Sequence, residues 1–357
     1  MKILVVDDSI VFRTQITASL SGIPDVEVVG TAPNGRIALQ KLEQLSVDLI
    51  TLDMEMPEMN GLETLKEMRA KGFRTKVIVF SSQTIRGAEK ALEALRAGAD
   101  DVVAKPEGDS LNFDSVQEMT RAALIPRVQQ FMGRSAKPAD KPSELKISLS
   151  TGAVPKKTFT PKQRISTFMP NAVVIASSTG GPSALETIFT GINGPFKRPL
   201  LIVQHMPPVF TQILAKRLAA ITGADFVEAK DGDPVVPGRA YVAPGDFHME
   251  VIVTNGQPVI SLNQKPLRNS VRPAADFLFE SATQLWKASL LGVVLTGMGE
   301  DGAVGAHEIR ENGGRILIQN KESCVVFGMP GAVFERDDYD EIADLEGIRK
   351  LLKGALL

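Results

Sequence analysis

A single cysteine, Cys324, stands among the 357 residues, which excludes an internal disulfide framework and fits a reducing compartment. No apolar run approaches the roughly 18 residues of a membrane span, so direct membrane insertion is not expected. A surplus of one charge is missing as well: 40 Lys or Arg stand against 42 Asp or Glu, for a formal charge of -2. That balance gives no whole-chain basic footprint for nucleic acid, and no nucleic-acid partner is expected. The N-terminal MKILVVDDS meets two acids after one short apolar run, unlike a signal peptide. Histidine is scarce, at three residues, so candidate general bases are few. No internal repeat is visible. What is present is an ordinary globular composition, 43% hydrophobic and 23% charged, long enough for two domains at about 150 residues each. The expectation is a cytoplasmic, multidomain protein.

One composition shift divides the chain. Between Arg134 and Arg164 eight Lys or Arg face only Asp140 and Glu144, within KPADKPSELK and AVPKKTFTPKQR. Such a segment buries too little apolar area to offset its ordering entropy, so residues 126–166 read as a basic linker. Before it, at 1–125, five short apolar runs (Ile3–Val6, Val26–Val29, Leu49–Leu52, Val77–Phe80, Val102–Ala104) alternate with helical stripes such as Phe12/Ile16/Leu20. Five βα units imply an α/β fold with a doubly wound parallel sheet. After it, at 167–357, Ala172–Ala176, Leu200–Val203, Gly292–Leu295 and Arg315–Ile318 read as buried parallel strands. Tyr241–Ala243, Glu250–Val253 and Val259–Leu262, separated by PGD and NGQ turn signals, suggest an antiparallel hairpin added to that second α/β sheet.

In an open parallel sheet, ligands sit beyond the carboxyl ends of the strands. The polar residues following the apolar runs are Asp7, Asp8, Asp53, Ser81 and Lys105. Three converging carboxylates repel one another and call for a cation, and hard oxygen ligands suit Mg²⁺. A metal beside a carboxylate also neutralises an incoming phosphoryl group, with a Lys and a hydroxyl to hold its oxygens. The segments LVVDDS, LDMEMPEMNG, VFSS and VVAKP make residues 1–125 resemble a response-regulator receiver domain. The resemblance implies that Asp53 is the phosphoacceptor. It implies that Asp7, Asp8, Asp53 and the backbone carbonyl of Glu55 hold Mg²⁺, with Ser81 and Lys105 sensing the phosphoryl group. Three residues before the Lys, where that family usually carries an aromatic, stands Val102.

In the second half, NAVVIASSTGGPSALETI reads as strand, tight turn, helix. Ser178 sits where a nucleophile elbow lifts a hydroxyl toward backbone N–H groups; the same pattern could equally cap a helix or bind phosphate. A serine nucleophile needs a base. His205 follows an apolar run and so also lies at a strand end, whereas His248 reads as a surface or supporting residue and His307 as structural. The Gly-rich loop GMGEDG offers Glu300 and Asp301 to orient the base.

STGGP, QHMPP, APGDFHME, LTGMGEDGA and ESCVVFGMPGA occur in this order, and with the receiver in front the chain resembles the CheB-type chemotaxis methylesterases. The resemblance implies Ser178 as nucleophile, His205 as general base and Asp301 as its orienting acid, with the Met298 backbone N–H in the oxyanion hole. That family usually has Gly-Ala before the serine; here Ala176-Ser177 stands there. The implied activity is hydrolysis of glutamyl methyl esters on the cytoplasmic signalling helices of chemoreceptors, and deamidation of receptor glutamines. A chemotaxis histidine kinase would phosphorylate Asp53, relieving a receiver that covers the esterase face; ester hydrolysis itself needs no cofactor. Two other classes fit less well. A DNA-binding regulator would need a basic C-terminal face, but the last 20 residues include Asp338, Asp340, Glu341, Asp344 and Glu346. A non-catalytic adaptor would have lost triad positions, and all three are filled.

Overall fold

The computed structural model describes residues 1–106, 113–132 and 162–357. Most of the basic linker, 133–161, lies outside the described residues. The first domain alternates β1 (Lys2–Val6), α1 (Ile10–Leu20), β2 (Glu27–Ala32), α2 (Gly35–Gln44), β3 (Leu49–Asp53), α3 (Gly61–Ala70), β4 (Lys76–Ser81), α4 (Ile85–Arg96), β5 (Asp101–Ala104) and α5 (Phe113–Phe131). Its strands are parallel and ordered β2-β1-β3-β4-β5. Ser9, Asn34, Asn60 and Thr84 each accept a backbone N–H at the start of α1 to α4, so short polar side chains between strand and helix set each helix start.

Helix α5 passes through Pro126 to Phe131, so the composition-based edge at residue 125 lies inside a helix. A proline inside a helix removes a backbone donor and crowds the carbonyl four residues earlier, a cost of about 3 kcal/mol, while Leu124 and Val128 on either side are fully buried in a cluster with Ile3, Val5 and Phe80. Burial outweighs the lost hydrogen bond.

The second domain runs β6 (Ala172–Ser177), α6 (Gly181–Phe189), β7 (Leu200–Gln204), α7 (Phe210–Thr222), β8 (Asp225–Glu228), β9 (Arg239–Val242), β10 (His248–Thr254), β11 (Gln257–Asn263), α8 (Ala275–Trp286), β12 (Leu290–Val294), α9 (Ala303–Glu311), β13 (Arg315–Gln319), α10 (Met329–Glu335), β14 (Glu341–Ala343) and α11 (Leu345–Leu356). Seven strands form a parallel sheet ordered β14-β13-β12-β6-β7-β9-β8. Strands β6, β7 and β12 are buried along their whole length, as their unbroken apolar runs require. The expected hairpin is present, with one difference. Tyr241 belongs to β9, a parallel member of the main sheet, and the antiparallel pair β10–β11 stands as its own two-stranded sheet packed on α8. The Asn255-Gly256 tip, with φ of 52° and 79°, closes that hairpin in the primed-turn geometry that twisted strands favour.

The chain changes direction across the first sheet between β1 and β3, and across the second between β6 and β12. Those crevices are where open α/β sheets receive ligands.

Helices α8 and α9 meet closely because Gly305 has no side chain: a Cβ there would lie 2.4 Å from Phe279 Cβ. Gly305→Ala would gain about 1 kcal/mol of helix propensity but overpack a rigid contact by about 1–3 kcal/mol. A lower thermal midpoint is the expected outcome in calorimetry, opposite to the propensity effect alone.

Candidate functional site

Strand β6 ends at Ser177, and Ser178 is the next residue. Its N–H donates to Thr296 O at 3.0 Å, and its carbonyl accepts from Gly181 N at 2.8 Å and Gln204 Nε2 at 2.9 Å. On its other side Gly297 approaches so closely that a Cβ there would sit 2.8 Å from Ser178 Cβ. Backbone contacts therefore fix the residue, while its hydroxyl makes no hydrogen bond among the described residues. Ser177 is buried and donates its hydroxyl to Gln204 Oε1 at 2.7 Å, which leaves Ser178 as the half-buried serine of the turn.

The β6–β7 register continues one step past the strands, His205 N donating to Ser177 O at 3.0 Å. His205 is thus level with Ser178 at the next strand end. Its Nε2 lies 2.7 Å from Asp301 Oδ2, on the loop after β12. With Nε2–H facing a carboxylate, the neutral ring presents Nδ1 as its basic nitrogen. Asp301 is 1% exposed. Ala275 N donates to its Oδ2 at 2.6 Å; Asp276 N at 3.2 Å and Asn269 Nδ2 at 3.1 Å donate to its Oδ1. Burial pushes its pKa up, but His205 and the two backbone N–H groups outweigh that and hold it below the usual carboxylate value. The N–H of Met298, in the same loop, has no acceptor among the described residues. A hydroxyl, a base with an oriented carboxylate and an uncommitted N–H at one sheet edge can carry out acyl transfer.

Several supporting residues went unread in the sequence. Gln204, at the end of the apolar run that precedes His205, binds the carbonyls of Ser178 and His205 at once. Asp276 is fully buried behind Asp301, and desolvation, then the Asp301 charge, raises its pKa to about 6. His248 is buried rather than on the surface: its Nδ1 accepts from Ala274 N at 3.1 Å and its Nε2 faces Pro266 O at 3.2 Å. It supports the loop leading into α8, as a neutral ring whose pKa burial lowers. His307 pairs with Asp338 on the surface, and burial pushes the Cys324 thiol up to about 12, which favours its protonated form.

At the edge of the first sheet, Asp7, Asp8 and Asp53 each offer a carboxylate oxygen, all within 4.8 Å of one another. Lys105 Nζ sits between two of them, 2.9 Å from Asp7 Oδ2 and 2.8 Å from Asp53 Oδ1. Burial raises the Asp53 pKa to about 6 against the pull of Lys105. The Lys105 pKa, lowered by burial but raised more by Asp53 and Asp7, lies above its ordinary value. Ser81 donates to Gly87 O in α4 at 2.8 Å, and the Glu55 side chain points to Lys90 at 2.7 Å. The cluster of three hard oxygen donors around a 3%-exposed acid fits a divalent cation.

The two domains touch, at the end of the first sheet opposite its acidic cluster. Thr179, the residue after Ser178, donates its hydroxyl to Asp101 Oδ2 at the start of β5 at 2.9 Å; Arg127 Nε of α5 holds the same oxygen at 2.8 Å. Helix α4 packs on α6 and α7, with Ser183 Oγ donating to Leu95 O at 3.2 Å and Arg96 pairing with Glu186 at 3.5 Å.

Against known proteins, the family model described as CheB methylesterase matches residues 173–352, and that of the response regulator receiver domain matches 3–116. A Trichodesmium erythraeum protein-glutamate methylesterase/protein-glutamine glutaminase is 43% identical, covering 96% of both chains. A Thermotoga maritima protein of the same name is 39% identical over 96% of this chain and 94% of its own. The crystal structure of the Thermotoga maritima CheB methylesterase catalytic domain covers 52% of this chain and 97% of that one, at 42% identity and a TM-score of 0.50.

The buried Asp53 makes a pH prediction. An acid whose pKa rises on folding, here from 3.8 to about 6, binds protons better folded than unfolded, so stability falls as pH rises through that window. The full shift corresponds to roughly 3 kcal/mol. In Mg²⁺-free buffer, Asp53→Asn is expected to match the wild type near pH 3.5 and to exceed it in thermal midpoint at pH 8. Equal midpoints at pH 8 would contradict the assignment.

Proposed function

The chain belongs to the CheB methylesterase family and carries a response regulator receiver domain, and from that premise we propose that it is a phosphorylation-activated protein-glutamate methylesterase of chemotaxis adaptation. The observation that carries this is the His205–Asp301 pair at 2.7 Å, level with a serine held in a strand-to-helix turn. Ser178 Oγ attacks the γ-carboxyl carbon of a methylated glutamate on the signalling helices of a chemoreceptor, and His205 takes the hydroxyl proton at Nδ1. The Met298 N–H stabilises the oxyanion. His205 returns the proton to departing methanol, leaving an acyl-serine that water, deprotonated by His205, releases as free glutamate. A receptor glutamine follows the same course with ammonia leaving.

A chemotaxis histidine kinase is the source of the phosphoryl group for Asp53. Asp7, Asp8, Asp53 and the Glu55 carbonyl would hold Mg²⁺, which supplies charge neutralisation for the incoming phosphoryl group. Lys105 would then exchange a carboxylate for a phosphoryl oxygen, and Ser81 would leave Gly87 for another, loosening the start of α4. The same helix touches the esterase domain through Leu95 and Arg96, and β5 reaches it through Asp101. Release of these contacts uncovers Ser178, a shift between two domain arrangements.

Methanol release from methylated receptor membranes tests both halves. Ser178→Ala is expected to lower the rate by about a thousandfold or more, and Asp53→Ala to keep the basal rate while losing stimulation by Mg²⁺ with a small phosphodonor. Equal rates for wild type and Ser178→Ala would end the esterase assignment. Asp101→Ala, which removes the acceptor for Thr179, is expected to raise the unstimulated rate several-fold; an unchanged rate would mean that this contact does not restrain the enzyme.

A further inference from the structure

Behind the His205–Asp301 pair the chain makes a turn of unusual backbone. Arg268 and Val271 exchange hydrogen bonds, Arg268 N to Val271 O at 3.3 Å and Val271 N to Arg268 O at 3.0 Å. The two residues between them, Asn269 and Ser270, have φ of 53° and 63°. Both central positions of such a two-residue turn need positive φ, which glycine adopts freely, asparagine tolerates and serine resists. Asn269 and Ser270 are exposed, so core packing does not force the choice. Backbone strain held at a site is a reason to ask what it positions.

What it positions is the Asn269 amide. Nδ2 donates to Asp301 Oδ1 at 3.1 Å and to Asp276 Oδ2 at 3.1 Å. A carboxylate only accepts, so the amide nitrogen, with its two hydrogens, is the end that can face both acids. A cation there would satisfy them too, but it would cancel the Asp301 charge that favours the imidazolium formed when His205 takes the serine proton. The neutral amide orients Asp301 and leaves its charge for His205. The cation is kept one carboxylate away: Arg268 Nε lies 3.4 Å from Asp276 Oδ2, and its other nitrogens bind Glu280 at 2.7 and 2.5 Å.

We propose that Asn269 is a positioning residue for the hydrolysis, its amide holding Asp301 in line with His205 by bridging it to Asp276. The proposal rests on the esterase assignment of Ser178, His205 and Asp301. Misplacing a reacting group by about 1 Å can cost about a hundredfold in rate, and the amide acts on orientation rather than on substrate binding. Its loss should therefore appear in kcat and not in KM.

Asn269→Gly in the full-length protein is the test, because glycine suits φ of 53° and an exposed side chain leaves no cavity when removed. Ser270→Gly is its control: it relaxes the same turn, keeps the amide, and removes a hydroxyl that makes no hydrogen bond among the described residues. Two rates are read well below the thermal midpoints: methanol release, and labelling of Ser178 by a fluorophosphonate, which reports the nucleophile without the natural substrate. For Asn269→Gly the expected result is a fall in kcat and in labelling rate of about ten- to a hundredfold, with KM within about twofold. Ser270→Gly should keep both rates. Wild-type rates in Asn269→Gly, or an equal loss in Ser270→Gly, would overturn the proposal. A wild type that is labelled but releases no methanol would sink the methylesterase function instead, and the labelling ratio would still decide the role of Asn269.

Discussion

Asp301 is an ionised carboxylate shut away from water, and much of the second domain can be understood as the means of keeping it so. A lone buried charge would neutralise itself or destabilise the fold by several kcal/mol. Here four donors converge on it: the first two N–H groups of α8, the Asn269 amide and His205. The helix start also contributes its dipole. Those donors dictate a chain of further contacts. Helix α8 must begin beside the β12 loop, so α8 and α9 must approach until only glycine fits at position 305. The loop entering α8 must be pinned, which the buried ring of His248 does through Ala274 and Pro266. Asp276 then falls inside as a second acid, satisfied by Gly305 N at 2.9 Å and by Arg268.

The first domain meets the same constraint differently. Its carboxylates gather around the Lys105 ammonium, with a single backbone N–H on each of two acids, Ser9 N on Asp7 and Glu55 N on Asp53. The consequence is visible in the two acids themselves. Asp301, held by groups that do not leave, is below its ordinary pKa. Asp53, held mainly by one side chain, is pushed by burial to about 6. An acid with unmet demand for positive charge suits the role proposed for Asp53, accepting a cation and then a phosphoryl group; an acid with its demand met suits the role proposed for Asp301, orienting a base.

The sequence exposed the features that obey a period or follow a strand. Unbroken apolar runs located the buried parallel strands, and the polar residues after them, Asp7, Asp53, Lys105, Ser178 and His205, fell at the strand ends where ligands bind. What stayed hidden was set by long-range approach. Gln204 looks like the last residue of a strand, and only the β6–β7 register shows that its amide spans two carbonyls. Asn269 and Asp276 lie on an irregular turn and a helix start far from Asp301 in the chain. The composition shift placed the linker from residue 126, yet α5 runs on to Phe131 because Leu124 and Val128 are buried where no local pattern records it. Tyr241 seemed part of a hairpin because turn signals flank it; pairing with β7 and β8 decided otherwise.

The contact between the domains is small in polar terms and well aimed. One hydroxyl–carboxylate bond joins Thr179 to Asp101, and the neighbouring contacts are a hydroxyl on Leu95 O and an ion pair whose arginine is largely exposed. Exposed ion pairs contribute about 0–1 kcal/mol and a hydrogen bond typically about 0.5–1.5 kcal/mol. Moving a two-state equilibrium from one part in a hundred to ninety-nine takes about 5.5 kcal/mol of differential stabilisation. Polar contacts of this size are within reach of a doubly charged phosphoryl group, the modification proposed for Asp53. Because Thr179 directly follows Ser178, the receiver holds the turn that carries this serine rather than a distant surface. That polar contact lies beside an apolar one, since Leu92 and Leu95 of α4 belong to the same buried cluster as Leu185, Ile213 and Leu214 of the second domain.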